Sequence, residues 1–210
     1  MRHLQIAVSV IVLVLLAAVL TPSQAMAEPS IVVSVRDQTL ALVDGGVVRE
    51  RFKVSTSKFG LGDNPNSYAT PLGSLEIASK IGGNAPLGTV FKSRRPTGEI
   101  LRPNAPGRDP IVTRIMWLRG LERGNSRAYS RGIYIHGTPV EAQIGRPVSY
   151  GCIRMRSSDV TRLFNSVRVG TKIEIANTGL SRSVAQATLK EQTRGVRLVA
   201  QTRGTRVAVN

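Results

Sequence analysis

A length of 210 residues, 41% hydrophobic and only 4% aromatic, allows one domain with extensions and a modest core with few large anchors. A net charge of +16 favours anionic partners, whether nucleic acid, a membrane surface or an acidic polymer. The single cysteine excludes an internal disulfide.

The first residues have the layout of an export signal. A short basic start, Met1 to Gln5, leads into an apolar run, Ile6 to Leu20, and then to small residues at Ala25 and Ala27. This predicts a secretory signal peptide over 1–27, cut before Glu28. The alternative is an uncleaved anchor, although the run is shorter than the about 20 residues a spanning helix needs. No cysteine follows the run to carry a lipid. The mature protein is expected across the inner membrane, in the periplasm or cell wall, with His136 as its only histidine. One Cys and one His cannot build a structural zinc site, so neither metal nor cofactor is expected.

From Ser30 the pattern is β. Asp44-Gly45-Gly46 is a hairpin signal, with Leu40, Leu42 and Val47 in the flanking strands. Thr70 to Gly82 predicts a further strand. Gly83 to Pro110 is rich in proline, glycine and basic residues, and reads either as a lid beside a site or as a solvated loop. Ile111 to Leu118 and Ile133 to Ile135 predict short strands. Ser157 to Gly170 predicts the one helix, capped by Ser157 or Ser158, with Val160, Leu163, Phe164 and Val167 on one face. Gly170 to Asn177 alternates as a closing strand. The fold class expected is mainly β with one helix near the end. The tail, 178–210, carries Arg182, Lys190, Arg194, Arg197, Arg203 and Arg206 against Glu191. It predicts a flexible basic extension, either resting on an anionic surface or merely solvated. It has no aromatic residue to stack on bases, so no specific nucleic-acid partner is expected.

Two short stretches carry the chemistry. In Arg131-Gly132-Ile133-Tyr134-Ile135-His136-Gly137-Thr138, His136 ends a short strand. In Ser149-Tyr150-Gly151-Cys152-Ile153-Arg154-Met155, Cys152 follows a glycine. A cysteine nucleophile needs a base, a group that fixes the base, and backbone N–H donors for an oxyanion. His136 is the only base of its type available, and the N–H groups around Gly151 and Cys152 are candidate oxyanion donors. The bland alternative is an inert cysteine beside an unrelated histidine, in a secreted basic binding module. Arg154 could clamp a substrate carboxylate or brace the loop through backbone carbonyls. Ser149 could hydrogen-bond near the site or only turn the chain.

These stretches resemble the signature of the YkuD-type L,D-transpeptidases (the ErfK/YbiS/YcfS/YnhG-like group): a strand ending His136-Gly137-Thr138, a spacer with Ile144-Gly145, and Ser149-Tyr150-Gly151-Cys152-Ile153-Arg154-Met155. Ala69 to Lys80 is similar to the family's Thr-Pro-x-Gly segment, and Ser157 to Ile175 to its late helix and strand. The resemblance implies a β-sandwich-like catalytic domain over 28–177 with a helix after the catalytic Cys. It implies Cys152 as nucleophile, His136 as proton donor and acceptor, and the Gly137 carbonyl orienting His136. The substrate it implies is a peptidoglycan stem tetrapeptide, cut before its terminal D-alanine and joined to a second stem. Water or a protein lysine as acceptor would give a carboxypeptidase or an anchoring enzyme. It also implies acylation by carbapenems; a monomer would suffice. One position departs from the pattern: Tyr150 stands where the family usually has a second His, two before the Cys. Tyr150 could keep a hydroxyl there or simply pack.

Overall fold

The computed structural model describes residues 28–207. The expected signal peptide lies outside the described residues. Ten strands form one mixed sheet: β1 (Ser30–Ser34), β2 (Thr39–Asp44), β3 (Val47–Lys53), β4 (Gly73–Ile81), β5 (Thr89–Lys92), β6 (Arg95–Ile100), β7 (Ile111–Gly120), β8 (Tyr134–Gly137), β9 (Ile153–Met155) and β10 (Lys172–Ala176). The path runs β3-β2-β1-β10-β4-β7, and β7 continues into β5-β6 and into β8-β9. β1 pairs parallel with β10, and β8 parallel with β9.

The expected layered β architecture comes from this one sheet bending round on itself. The chain just past β3 returns to β9, with bridges Ser55 to Arg154 and Ser57 to Ser149. That closure encloses a core drawn from Ile31, Leu40, Phe52, Leu75, Met116, Ile135 and Ile153. The hairpin after Asp44 forms as its residues dictate: Gly45 and Gly46 both have positive φ, +57° and +80°, the backbone of a type I′ turn.

Helix α1 (Ser157–Ser166) lays Val160, Leu163 and Phe164 into the core. Its cap differs from the one expected. The residue before the helix is Arg156, which makes no side-chain cap, and Glu141 Oε1 accepts the Ser157 N–H at 2.8 Å. Ser157 Oγ instead accepts from Thr113 Oγ1 at 2.8 Å. The serine side chain is therefore spent on β7, and a carboxylate from outside the helix fills the cap position.

The stretch Gly83 to Pro110 is not wholly irregular, because β5 and β6 form a hairpin in it. Its tip, Ser93-Arg94, has φ of +50° and +66° without a glycine, so no residue advertises the turn.

The tail differs most. A second helix, α2, covers Leu180–Val207 where a flexible extension and a single helix were expected. Leu180, Val184 and Ala187 pack on Val32, Ala41 and Val43, the outer faces of β1 and β2. Asp37 Oδ2 accepts the Leu180 N–H at 2.6 Å, and Lys190 Nζ reaches Glu122 at 2.7 Å and Glu174 at 3.3 Å. Strands apolar on both faces need cover on both, and α2 supplies it. Val184→Asp is expected to cost about 2–3 kcal/mol, the worth of the lost burial, read as a lower denaturant midpoint. An unchanged midpoint would show that α2 does not hold the sheet.

Candidate functional site

Cys152 sits immediately before β9 in a tight loop. Ser149, fully buried, donates its N–H to Thr56 O at 2.9 Å and its Oγ to Cys152 O at 2.6 Å. Gly151 takes φ +112°, and a Cβ there would lie 3.2 Å from both Ala69 O and Ile133 Cδ1, so the position demands glycine. Thr70 Oγ1 donates to Gly151 O at 3.0 Å. The Gly151 N–H points inward to Ser149 Oγ at 3.3 Å, so this expected oxyanion donor is engaged within the loop. The Cys152 sulfur accepts from the Tyr134 N–H and donates to Gly132 O, both at 3.4 Å.

His136 lies on β8, the neighbour of β9. The register pairs Ile135 with Ile153 and His136 with Arg154. Ile135 and Ile153 face the core, so Tyr134, His136, Cys152 and Arg154 share the other face. His136 is buried, and its Nδ1 lies 2.8 Å from Gly137 O. With Nδ1–H donating to that carbonyl, Nε2 is left as the acceptor. Among the described residues no hydrogen bond joins the imidazole to the sulfur. A Cβ on Gly137 would fall 2.6 Å from Val112 O, so β7 and β8 can approach here only with glycine. Opposite this step β7 carries a bulge between Val112 and Ile115, with Thr113 at φ +72°. The bulge bends the strand beside His136 and is tied to the start of α1 through Ser157.

Burial pulls the His136 pKa down from 6.5 to about 4; Arg154 helps, while the Gly137 carbonyl and Asp109 oppose it. Burial likewise pushes the Cys152 thiol up, against the Tyr134 N–H, Arg154 and Arg131. At neutral pH the resting pair is therefore an uncharged thiol and an uncharged imidazole. The His136 shift also makes folding acid-sensitive. Between about pH 6.5 and 4 the native state binds fewer protons than the unfolded chain, so stability falls as pH falls. On acidification from neutral to below pH 4 this one group should withdraw about 3 kcal/mol. Urea midpoints against pH check it; a His136→Asn protein losing stability equally over that window would contradict it.

Residues 28–175 match the model of the YkuD family, the L,D-transpeptidase catalytic domain. The chain belongs to this family. Among its relatives, the probable L,D-transpeptidase YcfS of Escherichia coli K12 is 42% identical over 69 residues, 32% of this chain and 19% of that protein. The putative L,D-transpeptidase YqjB of Bacillus subtilis 168 is 46% identical over 43 residues, 20% of this chain and 24% of that protein. The matched stretches thus span about a fifth to a quarter of these curated relatives. A solved L,D-transpeptidase from Mycobacterium smegmatis is 20% identical, with a TM-score of 0.45, covering 71% of this chain and 59% of that one.

Within this L,D-transpeptidase domain, Tyr150 occupies the position of the family's usual second His and does something different. It is 53% exposed and its hydroxyl accepts from Lys58 Nζ at 3.1 Å. Among the described residues its hydroxyl hydrogen-bonds neither Cys152 nor His136. Arg154 forms an ion pair with Asp109 at 2.5 Å and makes a long contact to Val148 O at 3.5 Å. Asp109 also accepts from Thr138 Oγ1 at 2.6 Å, which links the two signature stretches. Sequence reasoning missed Asp109, which lies in the proline-rich stretch with nothing to mark it. It also missed the buried pair Arg131–Asp63, 2.7 Å apart, and Arg131's bond to Ala69 O at 2.7 Å. That pair pins the loop before β4 to the segment carrying Gly132, the sulfur's acceptor. A cavity of about 500 Å³ between α2 and the sheet, lined by Ile31, Leu75, Leu121 and Lys190, touches none of these residues.

Proposed function

We propose that this domain is a peptidoglycan L,D-transpeptidase with Cys152 as nucleophile and His136 as its base. The observation that carries the reading is the shared face: His136 lies on β8 and Cys152 immediately precedes its parallel neighbour β9, with Nδ1 held by Gly137 O and Nε2 free to accept. The Cys152 sulfur attacks the carbonyl between the third stem residue and the terminal D-alanine, and its proton passes to His136 Nε2. The carbon–nitrogen bond breaks, His136 returns the proton to the departing amine, and a thioester remains. An amine of a second stem attacks the thioester and loses its proton through His136, and the sulfur leaves as the thiol. The protein acts in the envelope as a monomer, and the basic residues of α2, Arg182, Arg194 and Arg197, face anionic polymers or lipids there.

The test is to incubate the protein with stem tetrapeptides and weigh the products. Released D-alanine with dimers joined through third-position residues supports the reading. Release with free tripeptide identifies water as the acceptor, and transfer to an added lysine peptide identifies an anchoring enzyme. No release, with salt-sensitive binding to wall fragments, would leave a binding module with an inert Cys152.

A further inference from the structure

Beside the nucleophile loop lies an exposed aromatic cluster that the chemistry above leaves unused. Phe59, Tyr68 and Tyr150 are 49%, 55% and 53% exposed. Their rings sit 5.3 Å (Phe59–Tyr150), 5.7 Å (Phe59–Tyr68) and 5.9 Å (Tyr68–Tyr150) apart. Lys58 Nζ lies 4.6 Å from the centre of the Tyr150 ring and 5.2 Å from that of Phe59. In a chain with 4% aromatic residues, three half-exposed rings in one place form a concentrated apolar surface with a polar rim. Tyr68 is held there at φ +53°, which a bulky side chain rarely adopts. Its carbonyl accepts from the buried Ser57 Oγ at 2.5 Å, and that bond fixes the strained residue.

We propose that Phe59, Tyr68 and Tyr150 form a platform for the amino-sugar backbone of the substrate, with Lys58 donating to its hydroxyl or acetamido oxygens. The proposal rests on the peptidoglycan reading above. Two arguments favour a sugar over the stem itself. A pyranose ring offers a flat C–H face to an aromatic ring, whereas stem side chains offer methyl and carboxylate groups. The reach also agrees. Three stem residues separate the attacked carbonyl from the glycan, about 10 Å when extended. Tyr150 is two residues from Cys152, so their Cα atoms are within about 7 Å, and the ring extends the reach further.

The test compares kcat/KM for a free stem tetrapeptide with that for the same stem on an N-acetylglucosaminyl-N-acetylmuramyl disaccharide. The wild-type protein is expected to prefer the glycan-linked stem. Phe59→Ala should cut the preference ratio by about 2- to 10-fold, the range of one aromatic contact. Phe59→Tyr should keep it. The double variant Phe59→Ala/Tyr68→Asn, which retains a residue tolerant of positive φ, should bring the ratio close to one. A wild-type ratio of one, or a ratio unchanged in the double variant at equal thermal stability, overturns the platform while leaving the transpeptidase reading intact. Should neither stem be turned over, the transpeptidase reading fails, and binding of an N-acetylglucosamine oligomer decides the platform. Binding by wild type that is lost in the double variant supports it, and no binding by wild type overturns it.

Discussion

Cys152→Ala is expected to give a folded protein that forms no covalent adduct with a carbapenem and releases no D-alanine from stem tetrapeptides. The chain has no second thiol to take over. Loss of a nucleophile removes the covalent route altogether, and turnover should drop on the order of 10⁶-fold. The fold should survive. The sulfur packs against the cluster of Tyr134, Ile115 and Phe91 and is only partly buried, so its removal should cost about 1 kcal/mol. Cys152→Ser sharpens the test. It keeps a donor for Gly132 O and an acceptor for the Tyr134 N–H, but its hydroxyl is far harder to ionise. Serine should therefore preserve the local hydrogen bonds and still lose the adduct. Intact mass after carbapenem treatment and release of D-alanine read the result. Turnover retained in Cys152→Ala would move the chemistry elsewhere in the molecule.

The parts of this site that the sequence made legible are those in which one residue type is forced by geometry. His136-Gly137 and Gly151-Cys152 stand out because Gly137 lies against the β7 backbone and Gly151 takes a positive φ. Gly45-Gly46 announces its turn for the same reason. What stayed hidden depends on partners far away in the chain. Asp109 becomes meaningful only when the fold brings it to Arg154 and Thr138. Arg131 is one arginine among many until Asp63 meets it. The β5–β6 turn uses Ser93-Arg94, neither a turn-favouring glycine. The α2 helix was obscured because its buried stripe is short, Leu180, Val184 and Ala187, after which Gly195 and repeated polar residues blur the period. The signal for α2 lay elsewhere. The unbroken apolar runs of β1 and β2 required something to cover their second face.

His136→Ala is expected to slow acylation of Cys152 by about 10²- to 10⁴-fold and to change how the rate depends on pH. The pH argument follows from the resting charges. With its pKa held near 4, His136 is already a free base throughout the neutral range. The thiol, pushed upward by burial, is still protonated there. Proton transfer to Nε2 must then accompany attack on the carbonyl, since no thiolate–imidazolium pair is formed in advance. The wild-type rate of carbapenem adduct formation should accordingly vary little from about pH 5.5 to 8, with the base present and the thiol protonated throughout. Without the imidazole only the thiolate fraction reacts, and that fraction rises about tenfold per pH unit below the thiol pKa. His136→Ala should thus show a rate climbing steeply with pH and approaching wild type only in the alkaline range. His136→Gln should behave as alanine does, because its amide can donate to Gly137 O but cannot accept the proton. A variant rate that stayed flat and near wild type across that range would remove His136 from the role of base and leave the Cys152 thiol activated by its surroundings alone.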